Sequence, residues 1–240
     1  MTIAAFFDID GTLYRDSLMV EHFKKLLKYE VIDSSLWHNH AKHAYLNWDK
    51  RQGNYDDYLL EIAQIYIESL KGLNHQNMDF ISNQVIALKG DRVYRYTRAQ
   101  IKWHQQQRHK VIFISGSPSY LVSKMAKKYG ADDFKGTEYL IDENGYFTGE
   151  IVQMWDAENK QKSLLSFQEQ YNINMKKSYA YGDTNGDFSM LQMVGYPIAI
   201  NPTKELLQNI KLDDEISRKI AIIIERKDVI YKLDASVEIF

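Results

Sequence analysis

The segment Phe7-Asp8-Ile9-Asp10-Gly11-Thr12-Leu13 decides how the 240-residue chain folds. It continues the apolar run of residues 2–7, whose unbroken hydrophobicity is typical of a strand buried on both faces of a parallel sheet. Polar residues and the flexible Gly11 then end the strand. The segment therefore predicts a central strand with two carboxylates, those of Asp8 and Asp10, at its carboxyl end.

Three further apolar runs predict parallel partners for this strand. They cover residues 110–114, 179–181 and 197–200, and each is followed by a predicted helix. Residues 115–118 (Ser-Gly-Ser-Pro) are predicted to form a turn, and residues 137–152 a hairpin around Asn144-Gly145. Strand–helix alternation of this kind predicts an α/β fold with a doubly wound, Rossmann-like parallel sheet and right-handed crossovers.

Residues 17–88 follow a different pattern, with apolar residues at helical spacing and no strand-like alternation. Helices are predicted over residues 17–29, 36–48, 55–70 and 78–88, with Gly53 and Gly72 where helices should end. We expect an all-α cap domain (17–88) inserted into an α/β core (1–16 and 89–240). Within the core, residues 211–240 are expected to form a C-terminal hairpin that either extends the sheet or mediates self-association.

Composition narrows the class of protein. The hydrophobic share of 45% and the charged share of 26% are ordinary for a globular protein, and the net charge of -2 favours neither a nucleic-acid nor a membrane partner. The chain has no cysteine, which excludes disulfide and thiolate chemistry. No signal peptide or membrane-spanning run is predicted, so we expect a cytoplasmic location. Nothing in the sequence indicates an oligomer.

Polar residues follow three of the predicted strands. Asp8 and Asp10 follow the first strand, Ser115 follows the second, and Asp183 follows the third. In doubly wound sheets, ligands bind outside the carboxyl ends of the strands. The sequence therefore predicts one cleft that collects these side chains.

These residue types suit chemistry on phosphate. One of two neighbouring carboxylates can attack phosphorus while the other gives a proton to the leaving oxygen. A hard cation with oxygen ligands, such as Mg²⁺, offsets the repulsion between carboxylate and phosphate, and Asp183 offers it a further carboxylate. Asp187, four residues on, is expected either to support the site structurally or to contact the metal directly.

Phosphate oxygens also need hydrogen-bond donors and positive charge. Ser115 offers a hydroxyl, and Gly116 allows a backbone N–H to approach closely at the start of a predicted helix. Lys160, just before another predicted helix, offers an ammonium group, and its neighbour Lys162 is a possible rival. The expected ligand is a small phosphorylated molecule.

Four segments together resemble the motifs of the haloacid dehalogenase-like superfamily. Residues 8–13 look like its first motif, Phe113-Ile114-Ser115-Gly116 its second, Lys160 its third, and residues 182–187 its fourth. They occur in the family's order and in matching strand contexts. The helical block after the first motif resembles the cap of the phosphoserine-phosphatase-like subclass (subclass IB).

The resemblance implies a role for each matched residue. Asp8 would be the nucleophile that forms an aspartyl-phosphate, and Asp10 the general acid and base. Mg²⁺ would be held by the Asp8 carboxylate, the Asp10 backbone carbonyl and Asp183. Phosphate binding is assigned to Ser115, Gly116, Lys160, Gly11 and Thr12.

Departures from the subclass pattern argue against phosphoserine as the substrate. Ser17 lies near the position of the glutamate that meets the substrate's amino-acid end, residues 55–67 contain no arginine, and Gly186 replaces an asparagine. Two alternatives to a phosphatase stay open: a phosphotransferase or mutase using the same site, and a catalytically idle binding protein with the same fold.

Overall fold

The computed structural model describes residues 1–50, 52 and 55–239. Within that part of the chain, one eight-stranded sheet is built from β1 (Ala4–Phe7), β2 (Lys110–Pro118), β3 (Asp133–Ile141), β4 (Phe147–Val152), β5 (Tyr179–Gly182), β6 (Tyr196–Ile200), β7 (Ala221–Arg226) and β8 (Val229–Leu233). The strand order is β4-β3-β2-β1-β5-β6-β7-β8. The two edge strands, β4 and β8, pair antiparallel with their neighbours, whereas the six strands between them are parallel.

Helices cover both faces of this sheet. Their bounds are α1 Leu18–Lys28, α2 Lys42–Asp49, α3 Tyr55–Leu70, α4 His75–Lys89, α5 Arg95–Gln106, α6 Ser119–Tyr129, α7 Ala157–Tyr171, α8 Phe188–Met193, α9 Lys204–Leu212 and α10 Asp214–Lys219. A π-helical turn, Trp37–Ala41, precedes α2, and single 3₁₀ turns cover Met175–Lys177 and Asn185–Asp187. None of the helices in the described ranges has the length and apolar character needed to cross a membrane.

Strand β1 lies at the centre of the sheet, as its sequence predicts. Its four residues are fully buried, with Ala5 and Phe7 on one face and Ala4 and Phe6 on the other. The first face packs against α5 and α6, the second against α7, α8, α9 and α10. Phe7 also stacks on Tyr181 of β5, with ring centroids 4.2 Å apart. The predicted doubly wound, Rossmann-like α/β sheet is confirmed.

Helices α1, α3 and α4 share a third apolar cluster, which also takes in Tyr139 of β3 and Phe147 of β4. The predicted ends of α3 agree with the structure, and Gly72 follows it with a φ of +80°. Gly53, the other predicted helix end, lies outside the described residues. The division of the chain into a cap (17–88) and a core stays a prediction.

Two local predictions were wrong. The predicted turn at residues 115–118 is part of β2, because Pro118 pairs with Thr137 of β3 after an irregularity that begins at Ile114. Helix α10 was missed. Its first turn is capped by Asp213, whose carboxylate accepts hydrogen bonds from the N–H groups of Glu215 (2.9 Å) and Ile216 (3.1 Å).

The C-terminal hairpin extends the sheet, because β7 pairs in parallel with β6. Its Glu225 side chain is only 1% exposed and accepts hydrogen bonds from the backbone N–H groups of Arg95 (3.0 Å) and Tyr96 (2.9 Å). These are the first amides of α5, and the N-cap residue Tyr94 offers no side-chain bond to them. Glu225 also pairs with the guanidinium of Arg15 at 3.1 Å. The hairpin thus fixes the start of α5 and the segment leading into α1.

We expect Glu225→Gln to lower the free energy of unfolding by about 2 kcal/mol, because the buried carboxylate that accepts from the α5 amides and pairs with Arg15 loses its charge. Urea unfolding followed by circular dichroism measures this. The matched control is Glu215→Gln, since the Glu215 side chain is 85% exposed and its pair with Lys219 lies on the surface. That change should cost less than about 0.5 kcal/mol. Equal losses in the two variants would contradict the role given to Glu225.

A buried polar chain joins three helices of residues 17–88 to α6. The Tyr66 hydroxyl contacts both the Tyr120 hydroxyl of α6 and Nδ1 of His22, the latter at 2.7 Å. Ser82 lies 3.2 Å from Nε2 of His22 and donates to the Met78 carbonyl at 2.6 Å. Because the Ser82 proton is used there, Nε2 of His22 donates, Nδ1 accepts from Tyr66, and Tyr120 donates to Tyr66.

Burial lowers the pKa of His22 to about 3, so its imidazole is neutral in the folded protein. Unfolding restores the ordinary pKa of 6.5. The unfolded chain therefore binds the extra proton as pH falls below 6.5, and the fold loses stability. Between pH 7 and pH 5 we expect this residue to account for a loss of about 2 kcal/mol. His22→Asn removes the titrating imidazole. The variant should be less stable than the wild type at pH 7, but its free energy of unfolding should fall by about 2 kcal/mol less between pH 7 and pH 5. Equal losses of unfolding free energy in the two proteins, measured by urea unfolding at both pH values, would refute this role of His22.

Candidate active site

The carboxyl ends of β1, β2 and β5 bring the predicted site residues to one edge of the sheet. Asp8 follows β1, Ser115 lies within β2, and Asp183 follows β5. Asp8 and Asp183 are 4% and 6% exposed, and Ser115 is fully buried. The structure therefore gathers these groups in a largely desolvated place, where electrostatic interactions are strong.

Lys160 lies between two carboxylates. Its Nζ is 2.7 Å from Oδ1 of Asp8 and 2.5 Å from Oδ1 of Asp187, and its side chain is 3% exposed. It belongs to the first turn of α7, whereas the sequence placed it just before the helix; the difference arises because Asp156 caps α7 at Ala157. The rival Lys162 is 66% exposed and pairs with Glu158.

Asp10 is held by three hydrogen bonds. Its Oδ2 accepts from the hydroxyls of Ser117 (2.6 Å) and Ser17 (3.2 Å), and its Oδ1 accepts from the Leu18 N–H (3.0 Å). Burial raises the pKa of Asp10 to about 6, although these bonds oppose the rise. Sequence reasoning missed Ser117. The reason is that residues 115–118 were predicted as a turn, whereas in the structure β2 continues through them.

Ser17 has two roles in this arrangement. Its Oγ donates to Asp10 and accepts from the Val20 N–H at 3.4 Å, so it also caps α1. Ser17 therefore links Asp10 to the first helix of residues 17–88. A glutamate at this position would lack the proton that Ser17 gives to Asp10.

Gly11 and Thr12 lie against Asp183. The Thr12 hydroxyl donates to Oδ1 of Asp183 at 2.9 Å. Gly11 adopts a φ of +78°, and a β-carbon there would lie 1.9 Å from Oδ2 of Asp183, so only glycine fits. Both residues thus position the Asp183 carboxylate. The Thr12 hydroxyl donates its proton to Asp183 and does not face the cavity.

Asp187 organises the turn after β5. Its Oδ2 accepts from the N–H groups of Asp183 (3.0 Å) and Thr184 (3.1 Å), while Oδ1 takes the Lys160 ammonium. These contacts use both oxygens of a fully buried carboxylate. They favour a supporting role for Asp187 over a direct contact with a metal.

Asp8, Asp183 and Asp187 form a cluster in which one carboxylate oxygen of each lies within 4.8 Å of the others. Burial, followed by the charges of Asp8 and Asp187, raises the pKa of Asp183 well above its ordinary value. Burial likewise raises the pKa of Asp8, even though Lys160 opposes the rise. One ammonium faces three carboxylates, so the cluster has the oxygen ligands and the negative charge that suit a hard divalent cation.

Trp155 explains two glycines of the site. A β-carbon on Gly116 would lie 2.8 Å from Cβ of Trp155, and one on Gly186 would lie 2.4 Å from its carbonyl oxygen. The backbone of Trp155 thus passes between the ends of β2 and β5, where it leaves no room for larger residues. This contact accounts for Gly186 at the position where the subclass carries asparagine.

A cavity of about 350 Å³ opens above these residues. Asp8, Asp10 and Lys160 line it together with Gly116 and Ser117, whereas Ser115 lies behind it and accepts from the Ser117 N–H at 3.2 Å. Pockets for small molecules measure about 300–1,000 Å³, so this one suits a small ligand. We refer to it below as the active-site cavity.

A doubly wound sheet with acidic side chains at the carboxyl ends of its central strands defines the broad class of the protein, and the sequence defines its family. The model of the haloacid dehalogenase-like hydrolase family matches residues 5–192, and the chain belongs to this family. The match includes the segments that hold Asp8, Ser115, Lys160 and Asp183.

The chain is similar to several bacterial proteins. The inhibition of morphological differentiation protein of Streptomyces azureus is 25% identical over 205 residues, which are 85% of this chain and 73% of that protein. A phosphoserine phosphatase of Mycobacterium tuberculosis is 28% identical over 215 residues, covering 86% of this chain and 67% of that protein. A solved phosphoserine phosphatase, a phospho-aspartyl intermediate analogue, has a TM-score of 0.62 at 20% identity and covers 95% of each chain. The fold is therefore that of the phosphoserine-phosphatase-like subclass.

We expect Thr12→Val to lower the free energy of unfolding by about 1–2 kcal/mol, because a buried Asp183 oxygen loses its donor. Thr148→Val is the matched control, since its hydroxyl bonds the Leu140 carbonyl at the surface. Thermal and urea unfolding compare the two. A Thr12→Val protein as stable as the control would show that this contact contributes nothing.

Proposed function

We propose that the protein is a Mg²⁺-dependent phosphatase that hydrolyses a small phosphomonoester through an aspartyl-phosphate on Asp8. The observation that carries the proposal is that Asp8, Asp10 and Lys160 line one cavity, with Lys160 in contact with Asp8. Family membership supports the choice of a hydrolytic reaction. The name of the M. tuberculosis relative supports a phosphate ester as its substrate class.

In the first step, a carboxylate oxygen of Asp8 attacks phosphorus as the bond from phosphorus to the ester oxygen breaks. Asp10 gives its proton to the departing oxygen, so the alcohol leaves neutral. The raised pKa of Asp10 suits this donation, and Ser17 and Ser117 orient its carboxyl group.

In the second step, water attacks the phosphorus of the aspartyl-phosphate. Asp10, now ionised, takes a proton from that water, and the bond between phosphorus and the Asp8 oxygen breaks. Inorganic phosphate leaves, and both carboxyl groups return to their starting states.

The proposed metal ligands are the Asp8 carboxylate, the Asp183 carboxylate and the Asp10 backbone carbonyl. The clustered oxygens of Asp8 and Asp183 fit a hard cation, and Asp187 holds the turn that carries Asp183. When bound, Mg²⁺ supplies positive charge that offsets repulsion between the nucleophile and the phosphate.

Phosphate binding is proposed for Lys160 and for the backbone N–H groups around Gly116. Ser115 would contribute indirectly, because its hydroxyl accepts the Ser117 N–H and so positions that residue. Gly11 and Thr12 contribute by fixing Asp183. We further propose that residues 17–88 act as a cap on the core of residues 1–16 and 89–240, because α1 and α3 provide walls of the active-site cavity. A closed cap would exclude bulk water from the first step.

We expect the wild-type protein to release p-nitrophenol from p-nitrophenyl phosphate in the presence of Mg²⁺. Asp8→Asn should lower kcat by at least about a thousandfold, because the amide is not a nucleophile. Asp91→Asn is the matched control, since Asp91 is exposed and pairs only with surface Lys128 in the described structure; it should keep the wild-type rate. EDTA should abolish turnover and added Mg²⁺ restore it.

Undiminished turnover by a folded Asp8→Asn protein would sink the mechanism. Transfer of the phosphoryl group to an added alcohol, in preference to release of free phosphate, would favour the phosphotransferase alternative. Absence of any turnover by the wild type, across a screen of phosphorylated metabolites, would favour the idle binding protein.

A further inference from the structure

Part of the active-site cavity has an apolar wall. Met19 of α1 and Leu59, Leu60 and Ala63 of α3 line the same cavity as Asp8. The three α3 residues lie on one side of the helix, because Ala63 is three positions from Leu60 and four from Leu59. Leu60 is 54% exposed and Leu59 is half-buried, whereas Met19 and Ala63 are buried, so the solvent-facing part of this wall comes mainly from the two leucines. A ligand on this wall would cover apolar surface that now faces solvent.

Charge in the cavity is unevenly distributed. Among the described residues that line it, Lys160 is the one cation, and its ammonium already contacts Asp8 and Asp187. Asp156 and Glu205 add two carboxylates to the lining, beyond Asp8 and Asp10. Neither has a cationic partner in the described structure: Asp156 accepts from Asn159 and Gln153, and Glu205 accepts from Asn185. A second anionic group on a ligand would meet repulsion here.

We propose that the substrate's alcohol is an uncharged apolar group that rests on Met19, Leu59, Leu60 and Ala63, and that alcohols carrying a carboxylate are rejected. The inference rests on the proposed function, since it concerns what leaves when the phosphate ester is broken. An apolar group gains from leaving water on this wall. A carboxylate placed there would lose hydration and find no described cation to replace it.

A pair of matched substrates tests this. Hexyl phosphate ends in a methyl group, and 6-phosphonooxyhexanoate ends in a carboxylate at the same distance from phosphorus. The remote carboxylate scarcely alters the reactivity of the ester, so a difference in kcat/KM reports contacts with the cavity. We expect hexyl phosphate to be preferred by at least about tenfold. The neutral 6-phosphonooxyhexanamide should fall between them, which separates charge from polarity.

Two leucine variants locate the effect. Leu60→Lys places an ammonium on the apolar wall and should narrow the preference for hexyl phosphate or reverse it. Leu88→Lys makes the same change at another exposed helical leucine, 63% exposed and outside the cavity lining, and should leave the preference as in the wild type. A preference that shifts equally in both variants would overturn the assignment to this wall.

Binding to Asp8→Asn separates failure of this inference from failure of the proposed function. Isothermal titration calorimetry with hexyl phosphate and 6-phosphonooxyhexanoate, in Mg²⁺, needs no turnover. Tighter binding of hexyl phosphate supports the inference whether or not the wild type hydrolyses either ester. Equal or tighter binding of the carboxylate overturns it, even if turnover of p-nitrophenyl phosphate depends on Asp8 as proposed.

Discussion

The site depends on the contact of one buried ammonium, that of Lys160, with the carboxylates of Asp8 and Asp187. Burial alone would lower the pKa of Lys160, but the charges of Asp187 and Asp8 outweigh it and raise that pKa above its ordinary value. Removing Lys160 would leave both carboxylates uncompensated away from water, which costs several kcal/mol. Asp187 extends the effect, since its second oxygen binds the amide of Asp183. The first turn of α7 thereby fixes the ends of β1 and β5 together.

Steric constraints bring the same elements into register. Trp155 lies so close to Gly116, through its Cβ, and to Gly186, through its carbonyl oxygen, that a β-carbon at either glycine would force its backbone away. Because Asp156 caps α7 directly after Trp155, the position of that backbone determines where Lys160 enters the site. Close packing and charge pairing thus favour the same position of α7 relative to β1 and β5. A larger residue at Gly186 would displace α7, which carries the Lys160 ammonium.

Local patterns predicted much of this arrangement, and long-range contacts account for the rest. The apolar run before Asp8 predicted the central strand, because a strand buried on both faces has an unbroken apolar sequence. Only the family resemblance favoured Lys160 over Lys162, since packing is what buries one and exposes the other. The bonds of Ser17 and Ser117 to Asp10, and of Glu225 to α5, join residues that are distant along the chain or lie on different elements. No local propensity encodes such pairings.

The charge that suits the site to a metal also bears on the substrate. In the proposed mechanism, Asp8 and Asp183 would hold a cation beside the phosphoryl group, and the positive charge of the cation would offset the negative charge of that group. Asp156 and Glu205 line the same cavity but do not belong to the cluster that would hold the cation, so their charges can repel an anionic alcohol. The wall of Met19, Leu59, Leu60 and Ala63 supplies attraction without charge. The phosphate end of the substrate is therefore selected by electrostatics, and the alcohol end by apolar contact together with repulsion of anions. Phosphoserine carries its own carboxylate, so its binding would require a different arrangement of charge at the alcohol end.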